Sequence, residues 1–189
     1  MRTITMFLAG LLAMYAPSVA APGTQVWDYK NWTVAVEAVD TGEDLRITCR
    51  AWTGGDGQPR LVIEVSNGDA LPPHHYPLPH LYESAPRGHR TMLFDGAWVM
   101  FEVDVLVEPD LPWRAEGEAQ AWYDDDGILQ AVARPFGNGL DLLAVMREAG
   151  TLWVTLDSEV VYAASLSGFT AAYGKMAEQC GFPTVGVID

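Results

Sequence analysis

Ser165-Leu166-Ser167-Gly168-Phe169-Thr170-Ala171-Ala172-Tyr173-Gly174-Lys175-Met176-Ala177-Glu178-Gln179-Cys180 reads as a strand end, a capped helix and a cysteine on that helix's inward face. Ser167 stands where a helix N-cap is wanted, and Phe169, Ala172, Tyr173, Met176 and Cys180 recur at helical spacing on one side. Gly181 and Pro183 then stop the helix. A helix with one apolar face needs a surface to cover, and the rest of the chain supplies strands.

Strict alternation is clearest in Leu45-Arg46-Ile47-Thr48-Cys49-Arg50-Ala51-Trp52. Leu45, Ile47, Cys49 and Ala51 share one face of such a strand, and Arg46, Thr48, Arg50 and Trp52 share the other. Cys49 therefore points into the core and Trp52 away from it. Residues 32–37 alternate in the same sense, with Asp40-Thr41-Gly42-Glu43-Asp44 as the hairpin connection, and residues 61–65 follow after the turn Gly54-Gly55-Asp56-Gly57. Further strands are expected at 90–94, 98–107, 119–123, 128–133, 152–156 and 160–166. Asp95-Gly96 and Asp124-Asp125-Asp126-Gly127 mark turns. Asn138 caps a short helix from about Gly139 to Ala149, which Gly150 ends. The expected fold is all-β dominated: an antiparallel β-sandwich with two short helices, the C-terminal one packed on the sheet. Between 67 and 89 the periodicity gives way to a long loop with five prolines and all four histidines.

The first residues, with an apolar run from Met6 to Ala16 and then Pro17-Ser18-Val19-Ala20, have the form of a signal peptide spanning residues 1–20. That run is shorter than the roughly 20 residues a membrane span needs, and no later stretch is long and apolar enough. Residues 21–189 are then expected to form a single β-sandwich-like domain, exported to the periplasm or secreted. Without Arg2 the chain keeps 10 Lys and Arg against 25 Asp and Glu, a net charge of −15. Such a charge repels phosphate backbones and anionic headgroups, which argues against nucleic acid and against a general membrane-surface role. Two cysteines in an exported chain favour one disulfide, Cys49 to Cys180, since strand alternation and helix spacing turn both inward.

Chemical motifs are sparse. Asp40-Thr41-Gly42 has the form of half an aspartic-protease signature, but charged Glu43 and Asp44 follow where that signature wants small residues, and a second copy is missing. The histidine spacing fits no compact zinc pattern, and the aspartates of 124–126 lack the alternate spacing and distal Glu of a calcium loop; neither a metal site nor a cofactor is expected. Glu102 and Asp104 share a strand face with Trp98 and Met100, an arrangement that a hydrolase acting on envelope glycans could use. Residues suited to contact a partner are the outward Trp52 and, in the 67–89 segment, His74, His75, Tyr76, His80 and Tyr82.

Trp32-Thr33-Val34 on an early strand, Cys49 on the next and the closing Leu166-Ser167-Gly168-Phe169-Thr170-Ala171-Ala172-Tyr173 together resemble the invasion-associated locus B family of exported proteobacterial proteins and their periplasmic relatives. The resemblance implies a β-sandwich-like periplasmic protein without assigned catalytic residues. This chain departs from the family pattern in its acidity, its His- and Pro-rich segment and its cysteine inventory. The combined expectation is a non-enzymatic binding protein of the cell envelope, with a protein or glycan partner. The alternative is the glycan hydrolase through Glu102 and Asp104.

Overall fold

The computed structural model describes residues 23–55, 59–86, 88–108 and 111–189. The expected signal peptide, residues 1–20, lies outside the described residues, as do Asp56 and Gly57 of the expected turn.

Among the described residues ten strands form one continuous antiparallel sheet. A meander of β1 (Gly23–Tyr29), β2 (Trp32–Asp40), β3 (Leu45–Gly54), β4 (Arg60–Ser66) and β5 (His80–Ala85) makes one half. A second meander of β6 (Trp98–Glu108), β7 (Leu111–Tyr123) and β8 (Leu129–Pro135) returns so that β8 pairs with β5. β9 (Thr151–Leu156) then adds to β6, and β10 (Glu159–Ser165) to β9. The two helices are α1 (Gly139–Glu148) and α2 (Phe169–Cys180).

The sheet folds toward itself, and this gives the sandwich-like core. β10 stands at one end of the strand order, yet Tyr162 donates its hydroxyl to the Thr53 carbonyl of β3 at 3.1 Å. The Trp32 indole likewise donates to the Ser165 carbonyl at 2.9 Å, and Asn31 N–H to Ser167 at 3.2 Å. Trp32, fully buried, stacks at a tilt on Phe169, their centroids 5.5 Å apart. The inward residues of every inner strand pack here: Val34, Cys49, Ala51, Leu61, Ile63, Leu81, Phe101, Val103, Ala119, Ala133, Leu152 and Val154 are at or near zero exposure.

α2 packs on β2 and β3 through Phe169, Ala172, Tyr173 and Met176, the face that helical spacing assigns to it. Burying each large side chain of that face is worth about 1.5–3 kcal/mol. Cys180 is joined to Cys49, with Cα atoms 6.2 Å apart.

Several boundaries differ from expectation for physical reasons. Ser167 does not cap α2: Gly168 takes that position at φ 102°, because the Tyr29 carbonyl passes so close that a Cβ there would lie 1.9 Å from it. Residues 90–94 do not form a strand; the Glu83 carboxylate accepts the Met92 and Leu93 N–H groups at 2.9 and 3.1 Å, replacing a ladder. The loop expected from 67 to 89 is cut short by β5, so His80 and Tyr82 lie on a strand. Asp40-Thr41-Gly42 is the β2–β3 turn, where the Asp40 carboxylate accepts the Gly42 N–H at 2.8 Å and the Thr41 hydroxyl bonds to Asp44. Asn138 caps α1 as its position suggests, accepting from the Asp141 N–H at 3.1 Å.

Candidate functional site

Alternation along three adjacent strands decides what the outer face carries. β3 turns Arg50 and Trp52 outward, β4 turns Arg60, Val62 and Glu64, and β5 turns His80 and Tyr82. Antiparallel register then sets Arg50 opposite Glu64, Trp52 opposite Val62, Arg60 opposite Tyr82 and Val62 opposite His80. These side chains line a concavity of about 430 Å³, with Ala35 of β2 beside Arg50.

The charges in it are unevenly satisfied. Arg50 pairs with Glu64 and lies 3.8 Å from Glu37. Arg60 instead places its guanidinium over the Tyr82 ring, 5.4 Å from the centroid, and among the described residues no carboxylate pairs with it. Tyr82 is held in place from the other side: its hydroxyl donates to the Gln130 side-chain carbonyl, and the Gln130 amide donates to Asp124 at 2.6 Å. The Asp124 carboxyl is in turn held below the usual carboxylate range, chiefly by the Ile128 N–H, with Gln130 and the Asp126 N–H assisting. Hydrogen bonding to the ionised form favours it.

His80 is pushed below its ordinary pKa, first by burial of the ring and then by the nearby Arg134 guanidinium, against a hydrogen bond with Leu78 and the charge of Glu64. Its Nδ1 lies 3.4 Å from the Leu78 carbonyl. A carbonyl only accepts, so a hydrogen bond there is donated by Nδ1, and in the neutral ring that tautomer leaves Nε2 as an acceptor.

The six expected contact residues thus separate into two places. Trp52, His80 and Tyr82 share the outer-face concavity. His74, His75 and Tyr76 lie elsewhere, in a concavity of about 450 Å³ against Gly137, Asn138 and Leu140 at the start of α1. There the Tyr76 hydroxyl donates to the Val185 carbonyl at 2.8 Å and ties the segment to the C-terminal tail. Among the described residues no three His, Cys, Asp or Glu side chains gather as a metal-binding set. Arg60 and Glu64 were not anticipated as site residues; the outward alternation of β4 and its pairing beside Trp52 are the signals that carry them.

Glu102 and Asp104 do face outward from β6 with Trp98 and Met100. The Arg114 guanidinium bonds Glu102 at 2.5 Å, while Asp104 accepts the Gly150 and Thr151 N–H groups at 3.0 and 3.2 Å and fixes the start of β9. Glu102 lines a second open concavity, of about 430 Å³, with Trp98, Met100, Glu116 and Asp157, and Asp104 lies outside it. Trp98 is 63% exposed and meets Phe136 edge-on at 5.6 Å.

Compared with family models, curated proteins and solved structures, the chain matches none.

Proposed function

We propose that the chain is an exported, envelope-associated binding protein without catalytic function, of the kind the resemblance to the invasion-associated locus B family implies, and that it takes a glycan on the outer face of β3, β4 and β5. The observation that carries this reading is the convergence on one concavity of Trp52, Tyr82, His80 and Arg60, which pairs with no carboxylate among the described residues. Its volume falls within the roughly 300–1,000 Å³ of small-ligand sites. Aromatic faces receive the apolar faces of sugar rings, and fixed polar groups receive the hydroxyls. The disulfide suits an oxidising compartment, and no described helix is long and apolar enough to cross a membrane.

The test is glycan-array binding by the chain from residue 21 onward, compared with Trp52→Ala. Retention of defined glycans that Trp52→Ala abolishes supports the reading; retention untouched by Trp52→Ala and Tyr82→Ala removes the site from it. A second reading, a glycan hydrolase, draws on the concavity where Glu102 lies beside Trp98. It requires turnover of an envelope glycan that Glu102→Gln removes. The ion pair of Glu102 with Arg114 and the structural use of Asp104 weigh toward the binding protein.

A further inference from the structure

We infer that the outer-face concavity selects a carboxylate-bearing saccharide, a chain containing uronic acid units, over its neutral counterpart. This rests on the proposed binding site and adds the ligand's charge.

The charges of the chain are unbalanced. The chain holds 25 Asp and Glu against 11 Lys and Arg, so cations have carboxylates in excess to pair with. Arg50 on this face is paired twice over. Among the described residues Arg60, two residues from Val62 on the next strand, meets the Tyr82 ring and no carboxylate, and Arg134 on the outward face of β8 stands opposite Glu118 of β7 without forming an ion pair with it. Register places Arg134 beside His80, since Leu81 pairs with Ala133 and Tyr82 with Val132. Two guanidiniums outside any ion pair among the described residues therefore flank the β5 strand in a protein whose charged side chains are mostly acidic.

Stacking on Tyr82 occupies a face of the Arg60 guanidinium and leaves its edge of N–H donors for a ligand. Such a planar fork matches a planar carboxylate, whose two oxygens accept parallel hydrogen bonds. Trp52 supplies the apolar platform one strand away, and His80 supplies an acceptor, Nε2, for a ring hydroxyl. Arg60 thus serves the acid group and Trp52 the ring itself. Glu64, on the same wall, opposes two negative charges concentrated on one group, which favours a uronate chain with its single charge on each ring over a phosphate dianion.

The test is calorimetric titration of the chain from residue 21 onward with tetragalacturonate and with the neutral galactose tetrasaccharide, using wild type, Arg60→Gln, Arg60→Lys and Trp52→Ala. Circular dichroism confirms that each variant is folded. The acidic tetrasaccharide is expected to bind on the order of tenfold or more tightly than the neutral one, because a charge-assisted hydrogen bond is worth about 1.5–3 kcal/mol. Arg60→Gln should erase that difference and Arg60→Lys restore only part of it. Trp52→Ala should weaken both sugars. Equal affinity for the two, lost in Trp52→Ala, would overturn the acid selectivity and leave the binding face standing. Absence of binding to either would overturn this inference, and the glycan array then decides whether the face binds sugar at all.

Discussion

Reducing the Cys49–Cys180 bond should destabilise the protein mainly by freeing its unfolded chain. The bond ties the middle of β3, where Cys49 is fully buried, to the last residue of α2 across a sequence separation of 131. Chain-entropy reasoning for a loop of that size gives about 5 kcal/mol at room temperature, and losses of about 2–5 kcal/mol are usual. The native state has little reason to change, because Phe169, Ala172, Tyr173 and Met176 hold α2 on the sheet whether or not the bond is present. Urea unfolding followed by tryptophan fluorescence, on oxidised and reduced wild type and on Cys49→Ala with Cys180→Ala, separates the two contributions. Reduction should lower the unfolding free energy by about 2–5 kcal/mol and raise the denaturant slope, since an uncrosslinked unfolded chain exposes more surface. The double variant should lose more, because alanine leaves space beside the buried Cys49 position. A loss under about 1 kcal/mol with an unchanged slope would refute the entropic account. Two thiols alkylated in the denatured, unreduced protein would refute the bond itself.

Tyr173 buries a hydroxyl that has no hydrogen-bond partner among the described residues, and burial raises its pKa. Tyr173→Phe should therefore be neutral or stabilising by up to about 2 kcal/mol in thermal unfolding, whereas a loss above about 1 kcal/mol would show that the hydroxyl is satisfied. Asn138→Ala should cost about 1 kcal/mol and Asn138→Gly only a few tenths, read by the same melts, since the side chain caps α1 through the Asp141 N–H. The lowered pKa of His80 means that the unfolded chain takes up its proton first as pH falls. Its contribution is fully present above the ordinary histidine value of about 6.5 and is lost as pH falls from there through the depressed folded value. His80→Gln should flatten the decline in stability between about pH 7 and pH 5; an identical decline in the variant would show that His80 does not carry it.

The parts of the fold legible in the sequence are those whose patterns answer to local geometry. Alternation in β3 needs only a half-buried strand, and Cys49 and Ala51 are indeed buried while Arg50 and Trp52 face out. The α2 face and the Asn138 cap follow from helical spacing and from unpaired N–H groups in the same way. What stayed hidden depends on partners far away in sequence. β5 begins right after Pro79 and buries fully only Leu81 and Ala85, so its six residues look like loop until pairing with β4 and β8 reveals them. β1 turns most of its side chains to solvent and carries little periodic signal of its own. Residues 90–94 look like a strand because Met92, Leu93 and Phe94 are apolar, yet only Leu93 is buried and a carboxylate takes two of the backbone donors. For the site, Trp52 could be turned outward from sequence alone. That Arg60 and His80 stand with it required the pairing of β3, β4 and β5, and that His74, His75 and Tyr76 stand apart required the start of α1.

The claim that the outer face of β3, β4 and β5 is where the protein binds is tested most directly by nuclear magnetic resonance. Backbone amide shifts of the isotope-labelled chain would be followed during titration with a glycan retained on the array. The largest changes should fall on Ala35, Trp52, Val62, His80 and Tyr82, with β8 residues such as Val132 next. Changes centred on Trp98 and Phe136, or on His74 to Tyr76 and the start of α1, would contradict it.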